Sequence, residues 1–172
     1  MTLDASSGLS PELQQTADRA HFLRGKVIGC YAQIEFLLAD MCSQFWERPA
    51  YLHLKSEFPF NAAARVEAAT QLFQAEGPLA EYRNDVEPLL AELKSFKKNR
   101  HLFAHGHLML TESNGVPCVH FRLYVKDNND VVIHTENWTL EHMESIARDI
   151  AAYAGRFGRL LGRIYAEQRL KN

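Results

Sequence analysis

The 172-residue sequence predicts a mainly α protein, an up-and-down bundle of four to five helices with a small antiparallel β-meander inserted before the last helix. Three observations predict it. Apolar residues recur every three to four positions over most of the chain, which lays a stripe along one face of a helix. Between His107 and Asn137 the pattern changes to short runs rich in β-branched and aromatic residues, and from Thr139 the helical period returns. With 47% hydrophobic and 23% charged residues the chain is long and apolar enough to bury a core, so residues 10–172 are expected to form one domain behind a flexible polar tail, residues 1–9.

Each element has its own signal. The first helix is expected to start where Ser10 offers a capping hydroxyl and Pro11 takes the first helical position. Its apolar face runs through Ala20, Leu23, Val27, Cys30, Ile34 and Leu38 to Trp46, with Gly25 and Gly29 as candidate interruptions. Pro49 to Pro59 contains aromatic residues without a period and reads as a loop packed on the bundle. Asn61 caps an alanine-rich second helix, NAAARVEAATQLFQ, and Gly77-Pro78 is its stop. A third helix begins between Leu79 and Pro88 and runs through LLAELKSFKKNRHLFAH to Gly106, expected as a left-handed stop. HLMLTE, VPCVHFRLYV and DVVIHTE, parted by SNG and KDNND, read as three antiparallel strands over about 107–137. Thr139 caps the final helix, whose apolar face runs from Met143 through Ile150 and Phe157 to Tyr165.

The bulk properties exclude several classes. A formal net charge of −2 argues against a general polyanion-coating protein, yet leaves room for a local basic site. Cys30, Cys42 and Cys118 are widely spaced and form no CxxC pair, so neither a disulfide framework nor a cysteine zinc site is expected, and a reducing cytoplasm is the natural home. No apolar run approaches the roughly 20 residues that span a bilayer. The stretch MTLDASSGLSPEL has neither the basic nor the apolar region of a secretory signal, so no membrane association is expected.

Residues 97 to 107, KKNRHLFAHGH, carry the chemistry. At about 100° per residue, Lys94, Lys97, Lys98, His101 and His105 fall on one stripe, and Arg100 falls among the apolar residues of the opposite one. A guanidinium keeps its charge, so one aimed at a core needs a carboxylate, a phosphate or a wet cleft. Glu35, at the edge of the first helix's apolar face, is the expected partner of Arg100. Such a pair can equally serve only to hold two helices in register.

The histidines have three readings. Near a helix end they are favoured by the dipole and can be purely structural. His101 and His105 also have the i, i+4 spacing of two metal ligands, with His107 close by. Against a metal, HLFAH lacks the glutamate of HExxH, no acidic third ligand is near, and four cations oppose a divalent ion. The third reading is an anion, because residues 94–107 hold four Lys or Arg, three His and no Asp or Glu. A histidine that takes a proton from a ribose 2′-hydroxyl, beside an arginine that neutralises charge growing on the adjacent phosphate, cleaves RNA without metal or other cofactor.

The string Arg100-His101-Leu102-Phe103-Ala104-His105 resembles the RX4–6H signature of HEPN domains, with a polar residue directly after the arginine. In that family the motif lies near the end of the third core helix, and a polar residue of the first long helix often joins the site, a position that Glu35 matches. The resemblance covers roughly residues 15–165, of which the motif and its helix placement are the specific part. It implies a metal-independent endoribonuclease that cleaves single-stranded RNA and leaves 2′,3′-cyclic phosphate ends, frequently as a toxin or antiphage component held by an antitoxin. It also implies a homodimer whose motif helices face each other across a cleft. Arg100 and His105 would then be catalytic, His101 and Glu35 supporting, and Lys94, Lys97, Lys98 and His107 phosphate-binding. The alternative is a catalytically silent module of the same kind, binding nucleotide, nucleic acid or a protein. Two features depart from the pattern: His107 stands where some toxins carry a tyrosine, and the β-insertion is not a general part of the bundle.

Three further features complete the reading. Arg156, Arg159, Arg163, Arg169 and Lys171 on the last helix could widen an RNA track or simply form a solvated face. His120 and His134 are expected to face solvent. Trp46 and Trp138 are expected to anchor cores.

Overall fold

The computed structural model describes residues 10–55, 57–113, 116–128 and 130–168, with the backbone alone at 112 and 113. The tail over residues 1–9 and the cations Arg169 and Lys171 lie outside the described residues. The protein is mostly helical, with one small antiparallel sheet before the last helix. Helix α1 spans Pro11–Phe45, α2 Ala62–Gln74, α3 Arg83–Ser95 and α4 Lys97–His105. Strands β1 (His107–Ser113), β2 (Val116–Asp127) and β3 (Asp130–Trp138) precede α5, Leu140–Glu167. Among the described residues, no helix is long and apolar enough to cross a membrane.

The local start signals act as expected. The Ser10 hydroxyl accepts from the Leu13 N–H at 3.3 Å, the Asn61 side chain from the Ala64 N–H at 2.9 Å, and the Thr139 hydroxyl from the His142 N–H at 3.2 Å. Each satisfies one of the donors that a helix start leaves without an intrahelical partner.

Four expectations about the helical elements need correction. α1 runs unbroken past Gly25 and Gly29, both on its exposed side. A glycine costs a helix only about 1 kcal/mol against alanine, too little to break one anchored by Leu23, Val27, Tyr31 and Ile34, all buried. The supposed loop after Pro49 winds as a 3-10 helix, Pro49–Leu54, with proline at its start. The third helix is two helices, interrupted at Phe96. Gly106 is not a left-handed stop, because among described glycines only Gly77 has positive φ.

Two compact units are recognised, the described residues of 1–28 with 99–148, and those of 29–98 with 149–172. In the second, α3 and the later part of α5 are joined by a ladder of polar contacts. Asp85 pairs with Arg163, the Tyr153 hydroxyl donates to the Leu89 carbonyl at 3.0 Å, and Glu92 pairs with Arg156. Arg156 and Arg163, both exposed, are thus engaged by α3 carboxylates. Arg65 on α2 acts as a staple, donating to the carbonyls of Pro59, Phe60 and Glu35, and lying 3.6 Å from the Glu35 carboxylate. Gly77, at φ 154°, leaves room for the Tyr51 hydroxyl, which would lie 2.7 Å from an added Cβ and accepts from the Leu79 N–H. Trp46 is buried in this unit.

In the first unit the sheet order is β1-β2-β3, a meander. His107 stands opposite Arg122 on β2, and Arg122 opposite Thr135 on β3. The β2–β3 hairpin closes with Asp127 facing Asp130, and Asn128 takes the positive φ of 54° that a tight hairpin demands and asparagine tolerates. One face of the sheet carries an apolar cluster, with Val119, Phe121, Leu123 and Trp138 buried. Phe103 of α4 lies 5.6 Å from the Phe121 ring and 5.4 Å from Trp138, and those two are 5.1 Å apart. Burying such rings stabilises by about 1.5–3 kcal/mol each, so this trio fixes α4 to the sheet. His120 and His134 do not simply face solvent. Both are half-buried, the first 2.5 Å from the Asn137 amide oxygen and the second 2.9 Å from Glu136, which also accepts from the Trp138 indole.

Candidate functional site

The site is built on α4. At Phe96 the helical hydrogen bonding is interrupted: its N–H turns to Leu93 and Lys94, and its carbonyl accepts from the Tyr31 hydroxyl at 2.7 Å. The nine-residue α4 that follows buries Leu102 and Phe103 and leaves His101 and His105 exposed. One turn apart, the two imidazoles lie with ring centroids 5.0 Å apart and planes inclined at 58°. Arg100 is half-buried, as expected for a cation on the apolar side.

Arg24 of α1 completes the end of this helix. Its guanidinium donates to the Ala104 carbonyl at 3.3 Å, placing a cation where the helix exposes unpaired carbonyls and the negative end of its dipole. Sequence reasoning missed Arg24, because α1 was read only through its apolar spacing. The signal available was an arginine flanked by the core positions Leu23 and Val27.

The exit from α4 is tight. The Gly106 N–H donates to the Leu102 carbonyl at 2.8 Å, and a Cβ on Gly106 would lie 2.5 Å from that same oxygen. Glycine is needed here for close approach. Directly after it, His107 opens β1, exposed and opposite the exposed Arg122. Three imidazoles thus follow one another within seven residues, at positions 101, 105 and 107, on the exposed side of the α4–β1 junction.

The remaining expected residues are placed as follows. Lys97 and Lys98 are exposed in the first turn of α4, so Lys97, His101 and His105 share one stripe at four-residue spacing. Lys94 is exposed in the last turn of α3, on the other side of the interruption. Glu35 is half-buried on α1, with its carboxylate directed to Arg65. Among the described residues, no group of three or more His, Cys, Asp or Glu side chains converges as metal ligands would.

Chemically, the α4–β1 junction offers imidazoles that accept or donate protons, a half-buried guanidinium on the same helix, and lysines at its start. That set suits a phosphodiester better than a neutral or cationic ligand. Compared with protein-family models, curated proteins and solved structures, the chain finds no match.

Proposed function

We propose that the protein is a metal-independent endoribonuclease of the HEPN type, acting on single-stranded RNA as a homodimer with its α4 helices facing across a cleft. The observation that carries this reading is exposed His105, its ring 5.0 Å from that of His101 and inclined to it at 58°, on the same short helix as half-buried Arg100. His105 takes the proton of a ribose 2′-hydroxyl. The 2′-oxygen then bonds to the adjacent phosphorus, the bond from phosphorus to the 5′-oxygen breaks, and an imidazolium supplies the proton that the departing 5′-oxygen needs. Products are a 2′,3′-cyclic phosphate and a 5′-hydroxyl end. Arg100 neutralises charge growing on the phosphate, Lys97, Lys98 and His107 hold the strand, Lys94 adds positive charge, and Glu35 is a supporting residue.

A dimer answers a geometric difficulty. Arg100 and His105 are five residues apart, about 140° around a straight helix, so one copy presents them poorly to a single phosphate. A two-fold interface brings a second copy of each. A role as a toxin or defence component, with a neutralising protein partner, is the biological setting proposed with it.

The test is incubation of purified protein with mixed single-stranded RNA in excess chelator. Expected are cyclic phosphate ends, with the rate reduced about 10²–10⁴-fold in His105→Ala and about 10²–10³-fold in Arg100→Ala, both variants retaining the wild-type circular dichroism spectrum. Saturable binding without cleavage would instead assign the silent binding module.

A further inference from the structure

The outward face of the sheet carries cations and exposed apolar side chains, and no described carboxylate. By the register, His107, Met109, His120, Arg122, Tyr124 and Lys126 all project from the face opposite Phe121 and Trp138, together with Val131 opposite Lys126 and Ile133 opposite Tyr124. Arg122 and Lys126 are exposed, and Tyr124 is 72% exposed. No carboxylate shares this face among the side chains described. Asp127, Asp130 and Glu136 all alternate to the other side, where Glu136 is held by Trp138 and His134. In a chain of net charge −2 that segregation is a local inversion of sign.

We propose that this face is a track for single-stranded RNA, a proposal that rests on the reading of α4 as a nuclease motif and extends it to substrate binding. Charge complementarity selects the occupant. Two permanent cations about 13 Å apart along one strand, flanking a bare tyrosine, match a backbone of phosphates with unstacked bases between them. Aromatic rings on an open sheet stack such bases with little regard to sequence. His120, oriented by Asn137, adds a hydrogen-bonding edge in the same row. The face is continuous with the motif, because His107 on its first strand follows His105 by two residues and stands opposite Arg122. Strand β1 therefore leads the RNA from the sheet to the imidazoles.

The experiment is fluorescence anisotropy of a labelled twelve-nucleotide 2′-O-methyl RNA, which presents phosphates and bases but cannot be cleaved, in chelator at two salt concentrations. Tyr124→Ala is expected to weaken binding about tenfold, and Tyr124→Phe to restore it. Arg122→Ala and Lys126→Ala should each weaken it about fivefold and lower the slope of log affinity against log salt by about 0.7. The Tyr124 and Lys126 variants, farther along β2 from His107 than Arg122 is, should cleave a dinucleotide at the wild-type rate.

Affinities within twofold of wild type for all the alanine variants overturn the proposal, whether or not the protein cuts RNA. If the wild type binds without cutting, and these variants lose binding, the track stands and the nuclease reading falls. Unchanged RNA affinity with altered sedimentation would assign the face to a second copy of the chain and also overturn the proposal.

Discussion

Replacing Gly106 by alanine puts a methyl group into space that the α4–β1 junction already fills. Its carbon would lie 2.5 Å from the Leu102 carbonyl oxygen, 3.2 Å from Phe121 Cδ1 and 3.3 Å from Leu102 Cδ1. Carbon and oxygen atoms in favourable contact stay about 3.3 Å apart or more, so the overlap with the carbonyl is roughly 0.8 Å. Neither side yields freely. The oxygen belongs to helix backbone and accepts the Gly106 N–H itself, so backing away forfeits a hydrogen bond of about 1 kcal/mol. Shifting Phe121 disturbs its contacts with Phe103 and Trp138, an overpacking that costs about 1–3 kcal/mol. Against this, alanine narrows the unfolded ensemble by about 0.4–1 kcal/mol. The net expectation is a loss of about 2–3 kcal/mol, within the range of the component estimates. Urea titration followed by tryptophan fluorescence measures it, since Trp138 sits against Phe121. A Gly106→Ala midpoint equivalent to less than about 0.5 kcal/mol from wild type would refute the steric account. Because φ at Gly106 is not positive, no backbone strain confuses the result.

Two further outcomes follow from polar groups away from the motif. Tyr31→Phe removes the hydroxyl that holds the Phe96 carbonyl and should cost about 1 kcal/mol, with faster amide exchange over Lys97–Arg100; exchange and urea midpoint both equal to wild type would count against Tyr31 as a support of the helix interruption. Burial raises the ionisation of Tyr153 and Tyr165 above the ordinary tyrosine range, the second helped by its hydrogen bond to Asp40, and pushes the Cys42 thiol up to about 12. The unfolded chain releases these protons first, so stability should hold up to about pH 9 and fall as pH rises towards 12. Phenolate absorbance from the two tyrosines is expected together with loss of helical dichroism, and their ionisation near pH 10 in an intact fold would contradict it.

The features legible in the sequence were those with local causes. Ser10, Asn61 and Thr139 cap helices through atoms three residues away, and a strand period followed by KDNND announces a hairpin before any partner is known. What escaped had distant causes. The Phe96 carbonyl at the interruption is held by a hydroxyl 65 residues earlier, and the hold of Arg24 on Ala104 spans 80. Neither distance leaves a trace in spacing. The ion pairs of Arg156 and Arg163 were hidden in the same way, because their acidic partners on α3 lie more than sixty residues upstream. Gly106 was singled out for its residue type, but for the wrong physical reason, since a glycine that turns left and one that makes room read alike in a string of letters. In the candidate site the helical placement of the imidazoles was legible, and the break before α4 and the role of Arg24 were not.

The nine residues of α4 are too few to stay wound by themselves, since isolated helices shorter than about 12–15 residues are marginal in water. What keeps the motif coiled is therefore the aromatic clasp contributed by β2 and the end of β3. Excising the strands as though they were an ornament would not leave a trimmed bundle with its histidines in place. It would unmoor Phe103 and let the arginine and imidazoles drift apart, which makes the insertion a splint for the motif that precedes it.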